Sequence, residues 1–259
     1  MFSDITKFRK KLADGRLCLG AGVTTSDPAV VEALGPSVDF LWVDLEHNPI
    51  SLETLHAHLI AARACETAAL VRVPDSATGF LKRTLDTGAT AVAVPQVRSA
   101  QEVETIVAAC RYAPEGTRGF GPRRLSNYGR VPDAEYIERA NRSVFVVVQI
   151  ENVAALADLD AIVRVQGLDS VMVGPYDLAC DMGKRGDVAD PEVQAAIKTI
   201  IARARKAGLW VGMGMPPNAD QAAEAFRQGV HWVQCGGDLG YMIRYVESIA
   251  ARLRETADR

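Results

Sequence analysis

Two carboxylates in this chain stand behind consecutive short apolar runs. Glu151 follows the run ending in Gln149 and Ile150, and Asp177 follows Ser170–Val173 after Gly174, Pro175 and Tyr176. Acids at the ends of neighbouring strands offer the oxygen pair that a hard divalent cation such as Mg²⁺ or Mn²⁺ takes, with water and substrate oxygens completing its shell. The competing reading is that each acid opens the helix that follows, where negative charge is favoured. Position after two adjacent strands favours the metal. Among four histidines, only His47 sits behind a strand end with two acids within three residues before it, in Asp44-Leu45-Glu46-His47. An imidazole oriented by Asp44 or Glu46 carries protons near neutral pH; without that orientation it is an ordinary structural histidine. Arg72 ends the apolar run Ala-Ala-Leu-Val-Arg-Val-Pro. A guanidinium there is costly unless it faces a polar mouth or pairs with Asp44 or Glu46. Facing the mouth, it would stabilise a developing oxyanion, and both roles can coexist.

Further polar groups stand nearby. Gln149 precedes Glu151, and the turn Gly174-Pro175-Tyr176 brings backbone N–H groups toward an anionic ligand at the start of the next helix, unless it is only a turn. Residues 111–132 carry four glycines, three prolines and Arg111, Arg118, Arg123, Arg124 and Arg130 against the single acid Glu115. The segment is too long for an ordinary connection. Its arginines, Arg123 and Arg124 above all, would hold an acidic substrate tail, or pair with other acids or a neighbouring subunit. No apolar run contains a lysine, which argues against a Schiff-base mechanism and for metal-assisted chemistry.

These groups need a scaffold that brings strand ends together. Runs rich in Val, Ile, Leu and Ala recur at Leu17–Val23, Phe40–Leu45, Ala68–Val73, Ala91–Val94, Val144–Ile150, Ser170–Val173, Trp210–Met213 and His231–Cys235, with helical spacing between or after most of them. Eight such strands in 259 residues predict an α/β fold, a single (β/α)8 TIM barrel spanning residues 1–259, with a doubly wound open sheet as the alternative. Ser51 with Thr54 predicts a helix over Leu52–Ala64, and Asp190-Pro191 followed by Gly208 predicts one over Glu192–Ala207. In such a barrel the carboxyl ends of the strands form the active-site mouth.

Composition narrows the classes. With 29 basic and 32 acidic residues, a net charge of −3 and 48% hydrophobic content, the chain has no global basic field for nucleic acid or an anionic membrane. No apolar run approaches membrane-spanning length, and the polar, lysine-rich start is unlike a secretion signal, so a cytoplasmic protein is expected. Five scattered cysteines without a Cys-x-x-Cys pair outline neither a disulfide framework nor a zinc site.

Five ordered blocks carry a resemblance: Val43–Pro49 (V-D-L-E-H-N-P), Val71–Pro74 (V-R-V-P), Pro114–Pro122 (P-E-G-T-R-G-F-G-P), Gln149–Asn152 (Q-I-E-N) and Gly174–Leu178 (G-P-Y-D-L). Together they resemble the HpcH/HpaI family of metal-dependent class II pyruvate aldolases, over nearly the whole chain. The resemblance implies a (β/α)8 barrel assembled as a homo-hexamer, a dimer of trimers, often with the last helix exchanged between subunits. It implies a Mg²⁺, Mn²⁺ or Co²⁺ ion on Glu151 and Asp177, an acid/base dyad of His47 with Asp44, and Arg72 as the enolate-stabilising arginine. Asp86 matches an acid that approaches the site of a neighbouring subunit. The implied reaction is reversible cleavage of a 4-hydroxy-2-oxo acid to pyruvate and an aldehyde through a metal-bound pyruvate enolate. Two alternatives share the scaffold: a citrate synthase of siderophore biosynthesis using oxaloacetate and acetyl-CoA, and a CoA-thioester lyase of citrate lyase β type. A barrel that has lost turnover is a further class. Two positions depart from the family pattern, Leu45 where glycine is common and Cys18 where tryptophan is frequent, and both are expected to reshape the second-substrate pocket.

Overall fold

The computed structural model describes residues 2–257. In chain order its elements are α1 (Ser3–Ala13), β1 (Cys18–Val23), α2 (Pro28–Leu34), β2 (Phe40–Asp44), α3 (Leu52–Ala64), β3 (Ala68–Arg72), α4 (Thr78–Thr87), β4 (Ala91–Val94), α5 (Ala100–Cys110), α6 (Asp133–Ser143), β5 (Phe145–Ile150), α7 (Val153–Ala157), α8 (Leu159–Ile162), β6 (Ser170–Val173), α9 (Pro175–Asp181), α10 (Pro191–Lys206), β7 (Trp210–Met215), α11 (Ala219–Arg227), β8 (Trp232–Gly237) and α12 (Asp238–Ala257). The eight strands pair in sequence order, all parallel, and β8 closes back onto β1. This is the expected (β/α)8 barrel. No helix among the described residues is long and apolar enough to cross a membrane.

The side-chain period of two divides every strand between barrel interior and helix layer. The outward set, including Leu41, Val43, Val71, Val92, Val146, Val148, Val171 and Val211, is buried under the helices. The inward set is layered. At the amino end Phe40, Phe145 and Trp232 fill the barrel, and space for them comes from glycine: a Cβ at Gly20 would overlap the Phe40 ring, and one at Gly212 the Trp232 indole. Helix α1 plugs this end with buried Ile5, Phe8 and Leu12; Phe8 meets Phe40 and Phe145 edge-on at 5.4 and 5.6 Å between ring centroids. Toward the carboxyl ends of the strands the inward positions turn polar: Asp44 on β2, four residues after Phe40; Arg72 on β3; Gln149 on β5, four after Phe145; and Gln234 on β8, two after Trp232.

Candidate active site

Parallel pairing of β2 with β3 sets Asp44 opposite Arg72. The guanidinium donates through Nε (2.8 Å) and Nη2 (2.7 Å) to the two Asp44 oxygens, and its Nη1 lies 2.8 Å from Glu46 Oε2. Trp42 lies one turn of the pleat below, its ring centroid 5.7 Å from the guanidinium carbon. Burial pushes the Asp44 carboxyl up, but the hydrogen bonds and charge of Arg72 outweigh it and hold Asp44 below the ordinary carboxylate value. Burial opposes the Arg72 charge as well, yet Asp44, Glu46 and Glu151 together hold it raised. Arg72 is therefore a fixed cation at the mouth, an ion-pair partner and a mouth-facing group at once.

His47 stands apart from this cluster. Its side chain is 63% exposed, with Nε2 3.6 Å from Glu46 Oε2. The Asp44 oxygens are occupied instead by Arg72, by Asn48 Nδ2 (2.7 Å) and by the Glu46 backbone N–H (3.1 Å). The expected contact of His47 with Asp44 is thus not made within the chain, because a bidentate arginine takes the carboxylate; Glu46 is the acid beside the imidazole.

Across the mouth, Glu151 is 1% exposed. Its oxygens accept from the Gln96 backbone N–H (2.7 Å) and from Gln149 Nε2 (2.6 Å), and Gln96 takes a φ of 55° to deliver that N–H. Burial pushes the Glu151 carboxyl up; these two donors offset part of the effect, and the charges of Asp177 and Glu46 add to it. Glu151 does not cap a helix: Asn152 caps α7, its side chain accepting from Ala155. Gly174 is required by close approach, since a Cβ there would overlap the Glu151 carboxylate. Asp177 lies in the first turn of α9, exposed, and Tyr176 beside it is 52% exposed.

Arg72, Gln149, Glu151, Gly174, Pro175, Tyr176 and Asp177 line one cavity of about 240 Å³. A hard divalent cation fits this donor set. Glu151 is a buried acid whose charge a cation would stabilise, and Gln149 Oε1 is buried without a partner. Among the described residues no set of three His, Cys, Asp or Glu side chains is disposed to hold an ion, so water and substrate oxygens would complete the shell.

The arginine segment lies elsewhere. Residues 111–132 connect α5 to α6, ahead of β5, and so run from a helix toward the amino end of a strand. Arg124 is buried and donates to the Leu59 carbonyl oxygen at 2.8 Å. Arg118 pairs with Asp86 at 2.7 Å, and Arg111 lies 3.6 Å from Asp169. Arg123 and Arg124 line a separate cavity of about 540 Å³ with Asp86, His56 and Tyr128, sharing no residue with the mouth. Within this chain, then, Arg123 and Arg124 do not line the mouth; they stand beside Asp86 and the first turn of α3. Cys18 opens β1 at the amino end, and Leu45 is partly buried against the cluster that contains Val43 and Ile50; within this chain neither lines the mouth. Gln96 and Asn48 hold the two key carboxylates; their places behind β4 and β2 are legible in the sequence, but nothing in Pro95-Gln96 or His47-Asn48 signals that role.

The family model for HpcH/HpaI aldolase/citrate lyase matches residues 23–244. The chain is 39% identical over 99% of both chains to a 4-hydroxy-2-oxovalerate aldolase of Rhodococcus jostii, and 36% identical to a hydroxypyruvate/pyruvate aldolase of Pseudomonas aeruginosa, covering 96% of this chain and 93% of that one. Among solved structures it superposes on the citrate synthase SbnG with a TM-score of 0.88, 28% identity and full coverage of both chains. With a closed parallel barrel, an arginine locked between acids at its mouth and a match running through all but the two ends, the chain belongs to the HpcH/HpaI aldolase/citrate lyase family.

Proposed function

We propose that the protein is a divalent-metal-dependent class II aldolase, built as a single domain, that reversibly cleaves a 4-hydroxy-2-oxo acid to pyruvate and an aldehyde. The observation that carries this reading is the fixed Arg72 guanidinium on the wall of the cavity that also holds Glu151 and Asp177. Mg²⁺, Mn²⁺ or Co²⁺ held by Glu151 and Asp177 would supply a Lewis acid for the keto group. Gln149 and the Gln96 N–H orient Glu151, while Gly174, Pro175 and Tyr176 shape the adjoining wall. Arg72 faces the enolate oxygen, and Asp44 and Glu46 keep it there without reorganisation. His47, at the solvent edge beside Glu46, moves the protons. In synthesis it removes a proton from the pyruvate methyl, leaving the enolate; the enolate carbon bonds to the aldehyde carbon as the C=O π pair moves onto oxygen, and the new alkoxide takes the proton back from the imidazolium. In cleavage the imidazole takes the 4-hydroxyl proton, the oxygen pair forms the aldehyde C=O as the bond between C3 and C4 breaks into the enolate, and the imidazolium returns the proton to C3 to give pyruvate.

The same reading gives the protein a cytoplasmic setting and a homo-hexameric assembly of two trimers, with α12 exchanged and Asp86 brought to a neighbouring mouth. Helix α12 supports the exchange: Leu239, Met242, Ile243, Val246, Ile249 and Leu253 are exposed at helical spacing, an apolar stripe its own barrel leaves uncovered. The deciding experiment is exchange of pyruvate methyl protons into D₂O. Metal-dependent exchange supports the aldolase. No exchange, with citrate formed from oxaloacetate and acetyl-CoA, would assign the site to the second reading, which the likeness to the citrate synthase favours.

A further inference from the structure

Asp86 and Arg118 are each badly placed alone. Asp86 stands in the last turn of α4, where the helix dipole disfavours an acid, and that turn carries no basic residue to offset it. Arg118 lies in the segment between α5 and α6 with its side chain fully buried. Of its donors, Nη2 meets Asp86 Oδ1 at 2.7 Å, while Nε and Nη1 are buried without a partner. Its guanidinium carbon stands 4.6 Å from the centroid of the Tyr112 ring. Tyr112 is fixed in turn: Asn141 accepts from its backbone N–H at 2.8 Å and donates to its carbonyl oxygen at 3.0 Å. The backbone N–H groups of Thr117 and Arg118 tie the segment to the end of α5, donating to the Ala108 and Arg111 carbonyl oxygens, both at 2.8 Å.

A lone buried pair of this kind is a poor source of stability, because desolvating a guanidinium offsets most of its attraction to one acid. What it fixes is direction. Arg118 is the sole ion-pair partner of Asp86 among the described residues, and it takes only Oδ1. Arg83, Arg123 and Arg124 line the 540 Å³ cavity with Asp86, yet none of them pairs with it. The other oxygen, Oδ2, accepts no hydrogen bond among the described residues, and the segment passes it at Gly121, where even an added Cβ would stand 3.5 Å away. With 22% of its side chain exposed, Asp86 offers that oxygen to a group outside its own chain.

We infer that Arg118 is the positioning residue for Asp86: it grips Oδ1 so that Oδ2 is held out to the mouth of a neighbouring subunit. The inference rests on the assembly proposed above, in which Asp86 serves a neighbouring mouth, and adds the group that aims it.

The test is complementation between full-length Mn²⁺-loaded chains, co-expressed with two tags, purified through both and assayed for cleavage of 4-hydroxy-2-oxopentanoate. Arg118→Met and Asp86→Ala should each lose about tenfold or more in kcat/KM at unchanged oligomeric mass, as misplaced groups do. The double variant should lose no more than Asp86→Ala, because Arg118 acts only through that carboxylate. Glu151→Ala, inactive at its own mouth, still supplies an intact Asp86. Assembled with either Asp86→Ala or Arg118→Met, it should restore about a quarter of wild-type turnover per chain, since about half the chains keep a working mouth and about half of their neighbours an intact pair. Asp86→Ala assembled with Arg118→Met should restore nothing. Arg118→Lys keeps the charge without the fork; it should lose about threefold or more and be rescued in the same way, so poor assembly of Arg118→Met does not shield the inference. Rescue of Asp86→Ala but of neither Arg118 variant, full activity in both Arg118 variants, or losses that multiply in the double variant would overturn the inference alone. No rescue of Asp86→Ala would overturn the neighbouring-mouth reading and this inference with it, whereas failure of the aldolase reading shows separately, as a wild type without pyruvate proton exchange.

Discussion

The two ends of this barrel use the same alternating positions for opposite purposes. At the amino end, inward positions carry Phe40, Phe145 and Trp232, sealed by Phe8 of α1; at the carboxyl end, four residues further along β2 and β5, they carry Asp44 and Gln149, with Arg72 on β3 beside Asp44. One end gains free energy by burying aromatic surface. The other holds charge in a half-desolvated cavity at a cost that the ion pairs offset only in part. The contrast teaches that a single strand such as β2, Phe40-Leu41-Trp42-Val43-Asp44, supplies stability at its first residue and chemistry at its last.

Substitutions can break this division. The largest effect is expected from Glu151→Ala, which should abolish turnover while the fold survives, since its carboxylate serves the mouth and not a helix cap; circular dichroism alongside an aldol-cleavage assay checks both halves. His47→Ala should lower kcat about 100- to 10,000-fold, the span usual for a general acid or base. A loss under tenfold would remove His47 from proton transfer. Phe8→Ala should cost about 3 to 5 kcal/mol of unfolding free energy, as for other buried phenylalanines, and leave kcat near that of the wild type, measured by denaturant titration and steady-state kinetics. Asp44→Asn should cost about 3 kcal/mol by stranding part of a buried ion pair. It should also flatten acid unfolding. Asp44 is held below its ordinary value in the folded chain, so its stabilisation is complete at neutral pH and is lost as pH falls through the ordinary value and then the folded one. The smallest effect is expected from Arg123→Ala, which should leave pyruvate proton exchange within twofold of the wild type.

The barrel was legible because its outward positions are nearly all Val, Leu or Ile, and the eight expected strands differ from those observed by at most two residues at an end. Strand β7 runs on to Met215 and β8 to Gly237 because Gly214, Gly236 and Gly237 continue the ladder without an apolar signature. Arg72 was legible for the opposite reason: a lone cation in an apolar run demands acids, and the two nearest in sequence register are the ones it meets. The arginine segment was legible as a charge count but not as directions: Arg118 and Arg124 turn inward to Asp86 and the Leu59 carbonyl. The His47–Asp44 contact failed similarly, since adjacency along the chain does not say which partner a carboxylate takes first.

If Glu151 and Asp177 hold one divalent cation at the mouth, titration of Mn²⁺ followed by electron paramagnetic resonance will find one Mn²⁺ site per chain in the wild type and none in Asp177→Ala, with the Tm of the metal-free proteins unchanged. Retention of that site in Asp177→Ala, or full activity of the variant after exhaustive chelation, would contradict it.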